Sequence, residues 1–162
     1  MARPLRIEYA GAFYHITSRG NEQKDIFKNE HDFMRFLTYL GTAVQRYKAV
    51  IYVYCLMNNH YHLLLETPNG NLSQIMRHIN GAYTTYYNTK RQRAGHLFQG
   101  RYKAILVEAD EYAEELSRYI HLNPVRAGVV GSPEEYRWSS YQYYIGKKQV
   151  PKWLTVDYIL SY

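Results

Sequence analysis

The pattern of apolar and polar positions predicts a strand followed by a helix in the first third of the chain. Residues 13–19 are rich in β-branched and aromatic side chains and stop at Gly20-Asn21, a strong turn signal, so they predict a first strand. From residue 29 to residue 47 the apolar side chains recur at spacings of three and four. That spacing is typical of an amphipathic helix with a charged outer face.

A hairpin and a second helix are predicted next. Val50–Met57 and residues 60–66 are two apolar runs joined by Asn58-Asn59, and asparagine tolerates the left-handed backbone of a tight turn. The two runs should therefore pair as antiparallel strands. Residues 72–90 carry an apolar stripe at helical spacing and predict the second helix.

The last regular elements are a fourth strand and a third helix. Residues 102–107 read as the strand, and Asp110 is a suitable cap for a helix that runs to about Asn123. Pro124 disfavours the helical conformation in the residue before it, so we expect the helix to end there.

This order of elements indicates an α+β protein with a split β-α-β arrangement. We expect a ferredoxin-like, or RRM-like, sandwich: a four-stranded antiparallel sheet, helices packed on it and an added third helix. The 162 residues are enough for one domain, which we assign to residues 1–162. From about residue 131 the chain is rich in tyrosine and tryptophan and predicts a C-terminal extension packed on that domain.

Charge and aromatic content favour a polyanionic partner. The chain has 20 Lys+Arg against 14 Asp+Glu, and no acidic residue lies between Glu66 and Glu108. Nineteen tyrosines supply faces on which bases could stack. A run of basic residues is often only a solvated face, so ordinary surface charge is the alternative interpretation of each candidate contact. The candidate DNA-backbone contacts are Arg77, Lys90, Arg91, Arg93, Arg101 and Lys103, with Arg19 and Arg126 as further candidates.

Composition also limits where in the cell the protein can work and which kinds of metal site it can form. Cys55 is the one cysteine, so neither a disulfide nor a cysteine-based zinc site can form within the chain. The N-terminal residues are not followed by an apolar signal region, and no apolar run approaches membrane-spanning length. We expect a cytoplasmic protein with no membrane partner.

Two histidines and a helix carry the candidate chemistry. His60 and His62 lie two apart on a predicted strand, so both point to one face and can converge on a divalent cation. Tyr119 and Asn123 lie four apart on the third helix, on a face whose apolar members include Ile120. That face should look toward the sheet and its histidines. Hydrogen-bonded structural histidines, a core tyrosine and a helix-end asparagine are the alternative interpretation.

Several ordered motifs together resemble a known family. The motifs are NNHYHLLL at residues 58–65, GHLFQGRYK at 95–103, YIHLNPVRAG at 119–128, YHITSRGN at 14–21 and WSSY at 138–141. The chain resembles the single-tyrosine HUH transposases of small bacterial insertion sequences, most of all the branch associated with repetitive extragenic palindromes. The resemblance covers nearly the whole chain.

The resemblance implies an activity and a role for each candidate residue. His60 and His62 match the histidine pair of the family, Tyr119 matches the nucleophile and Asn123 matches a third metal ligand. The implied reaction is cleavage and strand transfer of single-stranded DNA through a covalent 5′-phosphotyrosine, with Mg²⁺ or Mn²⁺ as cofactor. The implied partners are a DNA hairpin or palindrome and, in some relatives, a second copy of the chain in a homodimer.

Two other functions explain part of the pattern. An RRM-like module that binds single-stranded nucleic acid without catalysis would account for the charge and the tyrosines. A metallohydrolase would use water in place of Tyr119. The sequence has no obvious cluster of carboxylates near the histidines to serve such an enzyme, and a binding module leaves the spacing of the four residues unexplained.

Overall fold

The computed structural model describes residues 7–108 and 111–162, in which the chain forms the predicted four strands and three helices, followed by three short helices that the sequence did not predict. In chain order the elements are β1 (Ala12–Arg19), α1 (Glu30–Tyr47), β2 (Val50–Met57), β3 (His60–Thr67), α2 (Leu72–Arg91), β4 (Lys103–Val107), α3 (Glu111–His121), α4 (Asn123–Arg126), α5 (Tyr141–Tyr144) and α6 (Asp157–Leu160). Short 3₁₀ turns lie at Asn21–Gln23 and Pro133–Glu135. Asp110, the predicted cap of α3, lies outside the described residues.

The four strands form one antiparallel sheet in the order β2-β3-β1-β4. Asn58-Asn59 joins β2 to β3, and Met57 lies opposite His60 at the start of the pairing. The two-residue hairpin is therefore the one that the sequence predicted. With helices packed on this sheet, the predicted α+β fold class is confirmed.

Two long helices cover one face of the sheet. The Asn29 side chain caps α1 by accepting a hydrogen bond from the Asp32 amide at 3.1 Å, which satisfies one of the free N–H groups of the first turn. Phe36 and Leu40 of α1 and Tyr83 of α2 are buried in the core on this face. None of the helices in the described parts of the chain is long and apolar enough to cross a membrane.

The opposite face of the sheet is covered by α3 and by the C-terminal segment, residues 131–162. Ile120 of α3 and Tyr136 of the segment are buried in a second apolar cluster against β2 and β3. The segment also binds the outer edge of β2, since the Leu56 amide donates to the Trp138 carbonyl at 2.8 Å and the Ser140 amide donates to the Tyr54 carbonyl at 3.0 Å. The histidine-bearing strand is thus held between two packed layers.

The third helix ends earlier than the sequence predicted. α3 stops at His121, and Asn123 begins the separate helix α4 after a turn at Leu122. Pro124 causes this arrangement, because proline is tolerated in the first turn of a helix, where its missing N–H group has no helical partner in any case. Asn123 therefore lies at the start of a new helix and not at the end of the old one.

Candidate active site

The two histidines of β3 lie on the face of the sheet that α3 covers. His60 and His62 have ring centroids 5.2 Å apart, and His62 is only 7% exposed. Tyr61 points the other way, is fully buried and donates a hydrogen bond from its hydroxyl to Asn80 Oδ1 at 2.7 Å. The alternation of the strand thus brings both imidazoles to one side, as the sequence predicted.

The neighbouring strands add polar groups at matching register. On β1, Thr17 lies opposite His62 and Arg19 lies opposite His60. On β4, Lys103 lies opposite Thr17, so it belongs to the same row across the sheet. His15 of β1 is a diagonal neighbour of His62, and His15 Nε2 lies 3.0 Å from His62 Nδ1.

Tyr119 approaches this row from α3. Its ring centroid lies 6.2 Å from that of His62 and 6.3 Å from that of His15, with the rings nearly perpendicular. The prediction that Tyr119 shares an inward face with Ile120 is wrong, because Ile120 is buried whereas Tyr119 is 48% exposed. The inward face of α3 includes the buried residues Ala113, Ser117, Ile120 and His121. Tyr119 stands at the margin of the helix, where a ligand in the cleft can reach its hydroxyl.

Arg126 of α4 folds back onto Tyr119. Its guanidinium carbon lies 4.0 Å from the centroid of the Tyr119 ring, and its Nη2 donates a hydrogen bond to the Tyr119 carbonyl. Stacking of a guanidinium on an aromatic face is electrostatically favourable. The turn that separates α3 from α4 therefore gives the tyrosine a fixed cationic neighbour.

Asn123 lies on the histidine side of the cleft. Its side chain lies close enough to the imidazole of His60 to oppose the fall in the pKa of His60 that burial causes. Although the helix is broken before it, Asn123 lines the same cleft as Tyr119. His60, His62, Tyr119 and Asn123 thus line one cleft of about 680 Å³.

Basic side chains line the same cleft. Arg19, Arg101 and Lys103 are exposed there, together with the polar side chains of Thr17, Gln23, Asn59 and Gln99. Arg77 lies in a second cleft of about 470 Å³, on α2, which also contains Arg101. The two clefts therefore share Arg101, which lies two residues before β4.

Three of the sequence-predicted basic residues have partners elsewhere. Asp32 is fully buried, and its carboxylate binds Arg91 Nη2 at 2.6 Å and Lys90 Nζ at 3.4 Å. Arg93 donates to Asn88 Oδ1 at 2.6 Å and stacks over the Tyr87 ring. These three residues tie the C-terminal end of α2 to its surroundings and do not line the histidine cleft.

The donor set of the cleft suits a divalent cation. Burial, and then the neighbouring His15 and His60, lower the pKa of His62 to about 3, and burial also lowers the pKa of His60. Both imidazoles are therefore neutral at pH 7 and have a lone pair for a metal. Within residues 7–108 and 111–162, no three His, Cys, Asp or Glu side chains form a metal-binding group. The amide of Asn123 is then the additional protein donor, which leaves positions for phosphate oxygens and water.

His15 is the residue of the site that sequence reasoning left unassigned. The signal was present, because polar His15, Thr17 and Arg19 alternate with the buried Tyr14, Ile16 and Ser18 along β1. Such alternation predicts that the polar set faces one side of the sheet. Which strand pairs with β1, and at what register, could not be read from that pattern, so its contact with His62 could not be foreseen.

A comparison with protein families matches most of the chain. The family described as IS200-like transposase matches residues 9–123, a range that runs from just before β1 to Asn123 and contains all four candidate site residues. No curated protein matches the chain.

Comparison with solved structures finds the same fold in several proteins. A REP-associated tyrosine transposase bound to a REP hairpin aligns with a TM-score of 0.74 and 16% identity, over 93% of this chain and 89% of that one. A proposed transposase from Deinococcus radiodurans R1 aligns with a TM-score of 0.50 and 17% identity, over 74% of this chain and 95% of that one. The tRNA(His) guanylyltransferase of Saccharomyces cerevisiae aligns with a TM-score of 0.52 and 8% identity, over 82% of this chain and 72% of that one. At these identities the likeness is one of fold, and the third protein is named for a different reaction.

Proposed function

The chain belongs to the IS200-like transposase family, and from this premise we propose that it cuts and rejoins single-stranded DNA through a covalent bond to Tyr119. The observation that carries the proposal is the half-exposed Tyr119 ring set against His62 in a cleft lined by basic side chains. A tyrosine in such a place is open to a DNA strand on one side and held by the protein on the other.

The proposed reaction is a transesterification at phosphorus. The Tyr119 oxygen attacks a backbone phosphate, the phenol proton leaves to solvent, and the bond from phosphorus to the 3′ oxygen breaks. The products are a 5′-phosphotyrosine and a DNA end whose 3′ oxygen has taken up a proton. Because the new bond is again a phosphodiester, a later 3′-hydroxyl can attack it and rejoin strands without ATP.

His60, His62 and Asn123 are the residues that we propose to hold the divalent cation of this family. When bound, Mg²⁺ or Mn²⁺ would polarise a non-bridging phosphate oxygen and offset the negative charge that builds up at phosphorus. The oxygen-rich surroundings of a phosphate and an amide suit these hard ions. The neutral state of both imidazoles supports the assignment.

Arg126 is proposed to act on the tyrosine from behind. A positive charge next to the ring offsets the negative charge that builds up on the attacking oxygen and the phosphate during the reaction. The stacked guanidinium and its bond to the Tyr119 carbonyl also limit the rotation of the ring. The same charge lies close enough to His62 to contribute to its low pKa.

The DNA backbone is proposed to bind Arg19, Arg101 and Lys103 in the cleft, with Arg77 on the continuation past Arg101. The ion pairs of Lys90 and Arg91 with buried Asp32 support a structural role for those two side chains instead. Arg93, stacked on Tyr87, is assigned the same role. Electrostatic contacts of this kind make the affinity strongly salt dependent.

The DNA partner is proposed to carry a hairpin or palindrome. The support is the structural relative that was solved with a REP hairpin, whose fold extends over 93% of this chain. Tyr119 and both histidines line one cleft of a single chain, which supports a site assembled without a homodimer. We propose that the protein acts on DNA in the cytoplasm.

The test is the formation of a covalent adduct. Labelled single-stranded DNA from the region that flanks the gene, with its hairpin-forming sequences, is incubated with Mg²⁺ or Mn²⁺ and run on a denaturing gel. We expect a protein–DNA band with the wild-type chain and none with Tyr119→Phe, which keeps the ring and its packing but removes the attacking oxygen. Tyr112→Phe is the matched control, because Tyr112 is an exposed tyrosine of the same helix.

The other outcomes separate the alternative functions. Cleavage without an adduct, retained in Tyr119→Phe, would mean that water is the nucleophile. DNA binding without any cleavage would leave a binding module, although the sheet face of His62 is packed under α3 and not open as in such modules. Loss of the adduct in both tyrosine variants would remove the specific assignment to Tyr119.

A further inference from the structure

His15 and His62 form a side-chain pair across β1 and β3. His15 Nε2 lies 3.0 Å from His62 Nδ1, and the two rings are stacked with centroids 5.2 Å apart and planes inclined by 20°. His15 is half-buried and faces the Tyr119 ring edge-on. At this separation the two nitrogens share one proton in a hydrogen bond.

Only one assignment of that proton leaves His62 able to bind a cation. A neutral imidazole carries one proton, on either Nδ1 or Nε2. If His15 donated to His62 Nδ1, the proton of His62 would sit on Nε2 and neither nitrogen could bind a metal. If His62 donates from Nδ1, its Nε2 keeps a free lone pair.

His60 has the equivalent arrangement with a different partner. Its Nδ1 lies 2.7 Å from Asn59 Oδ1, and an amide oxygen can only accept, so the imidazole donates from Nδ1. The lone pair of His60 is therefore on Nε2. Asn59, in the hairpin turn, fixes this tautomer of His60, whereas the partner of His62 is His15 on the neighbouring strand β1.

We propose that His15 is a positioning residue that accepts the Nδ1 proton of His62 and thereby directs the Nε2 of His62 into the cleft. This inference rests on the proposed function, because it takes His62 to be a metal ligand. It also fixes the state of His15, whose own proton must lie on Nδ1. Outer partners of this kind hold metal-binding histidines in one orientation and in one tautomer.

The first test measures Mn²⁺ binding to the whole protein without DNA, by calorimetry. We expect His15→Phe, which keeps an aromatic ring but has no acceptor, to weaken binding by about 10- to 100-fold. His15→Gln should restore most of the affinity, since the glutamine amide oxygen can occupy the position of Nε2 and accept the same proton. Phe13→Leu is the control, because Phe13 lies on the same face of β1 and packs on Tyr52, away from the histidines.

The second test reads the tautomer directly in the metal-free protein. With ¹⁵N-labelled histidine, NMR should show the proton of His62 on Nδ1 in the wild type and in His15→Gln, and a mixture of tautomers in His15→Phe. A structural role in packing β1 would not produce this pattern. A wild-type His62 that carries its proton on Nε2 would overturn the proposal.

A further variant separates the failure of this inference from the failure of the proposed function. If His62→Ala binds Mn²⁺ as well as the wild type, the ligand assignment is wrong and the inference falls with it. If His62→Ala loses Mn²⁺ but His15→Phe binds it normally, the ligand assignment stands and only the role of His15 is refuted. If His62→Ala and His15→Phe both lose Mn²⁺ binding and His15→Gln recovers it, the proposal is supported.

Discussion

Arg126 shows how one side chain can link the nucleophile to the turn behind it. The guanidinium stacks on the Tyr119 ring and binds the Tyr119 carbonyl, so it contacts both the side chain and the backbone of the same residue. In this arrangement Arg126 can change the rate of the Tyr119 reaction, whereas an arginine that only binds DNA phosphate would change the affinity for DNA. The two roles predict different measurements.

We predict that Arg126→Ala slows adduct formation at saturating DNA by about tenfold, which corresponds to about 1.4 kcal/mol of barrier. The loss has two sources, the missing charge beside the Tyr119 ring and the freer rotation of that ring. Single-turnover rates from gel quantification measure the effect, and the dissociation constant for DNA should change much less than the rate.

Arg118→Ala is the matched control for that change. Arg118 lies one residue before Tyr119 on the same helix, and it pairs at the surface with Glu114 at 2.7 Å. An exposed pair of this kind contributes little to stability, so the variant should keep the wild-type rate. If Arg126→Ala weakened DNA binding and left the saturated rate intact, Arg126 would be a phosphate contact and not a partner of the tyrosine.

At the scale of elements, α3 is held against the sheet by a buried polar contact. His121 Nε2 lies 2.7 Å from Ser140 Oγ, which also accepts a hydrogen bond from the Tyr54 amide at 3.0 Å. His121 belongs to α3, Ser140 to the C-terminal segment and Tyr54 to β2. The contact therefore joins three elements directly beneath the helix that carries Tyr119.

This contact predicts how stability depends on pH. Burial lowers the pKa of His121 to about 3, so below a pH of about 6.5 the unfolded chain binds a proton here that the folded chain does not. Acid therefore favours unfolding, by about 1.4 kcal/mol per pH unit for this residue, until the pH approaches the folded pKa. His121→Gln, which stays polar but does not titrate, should lose about 1.4 kcal/mol less than the wild type between pH of about 7.5 and 5.5.

Urea unfolding at the two pH values measures the difference. His62 is retained in the variant, and its pKa is also low, so its contribution to the acid loss cancels in the comparison. The window lies above the range in which carboxylates titrate, which keeps the ion pairs of Asp32 intact. Equal losses in the two proteins would show that His121 takes up a proton while the chain is folded.

The sequence predicted the elements better than their placement. Asn58-Asn59 marked the hairpin because turn chemistry is local, and the alternation around His60 and His62 gave their common face because strand geometry is local as well. The exposure of Tyr119 was mispredicted, since the apolar neighbours at helical spacing did not reveal that Ala113 and Ser117 point inward. The break at Leu122 depends on which turn of a helix Pro124 occupies, and the sequence alone does not specify that.

On the scale of the whole molecule, the basic residues separate into two groups that their position in the sequence does not distinguish. Lys90, Arg91, Arg101 and Lys103 all lie in the stretch without acidic residues, and that stretch alone predicted one basic surface. Asp32, far earlier in the chain, binds the first two across the packing of α1 and α2. Arg101 and Lys103 remain on the cleft that contains Tyr119. Long-range pairing thus decides which charges are available to DNA.

The two groups should differ in their effect on DNA binding, although each substitution removes one positive charge. We predict that Arg101→Ala weakens binding of single-stranded DNA and lowers the salt dependence by about 0.7 in the slope of log affinity against log salt, as expected for one lost phosphate contact. Lys90→Ala should leave both quantities close to wild type, since Lys90 is paired with Asp32 and lies off the cleft. Fluorescence anisotropy over a series of salt concentrations measures both. Because the net charge is the same in the two variants, equal losses of affinity would mean that DNA responds to overall charge alone, and that the cleft beside Tyr119 is not the track on which the strand lies.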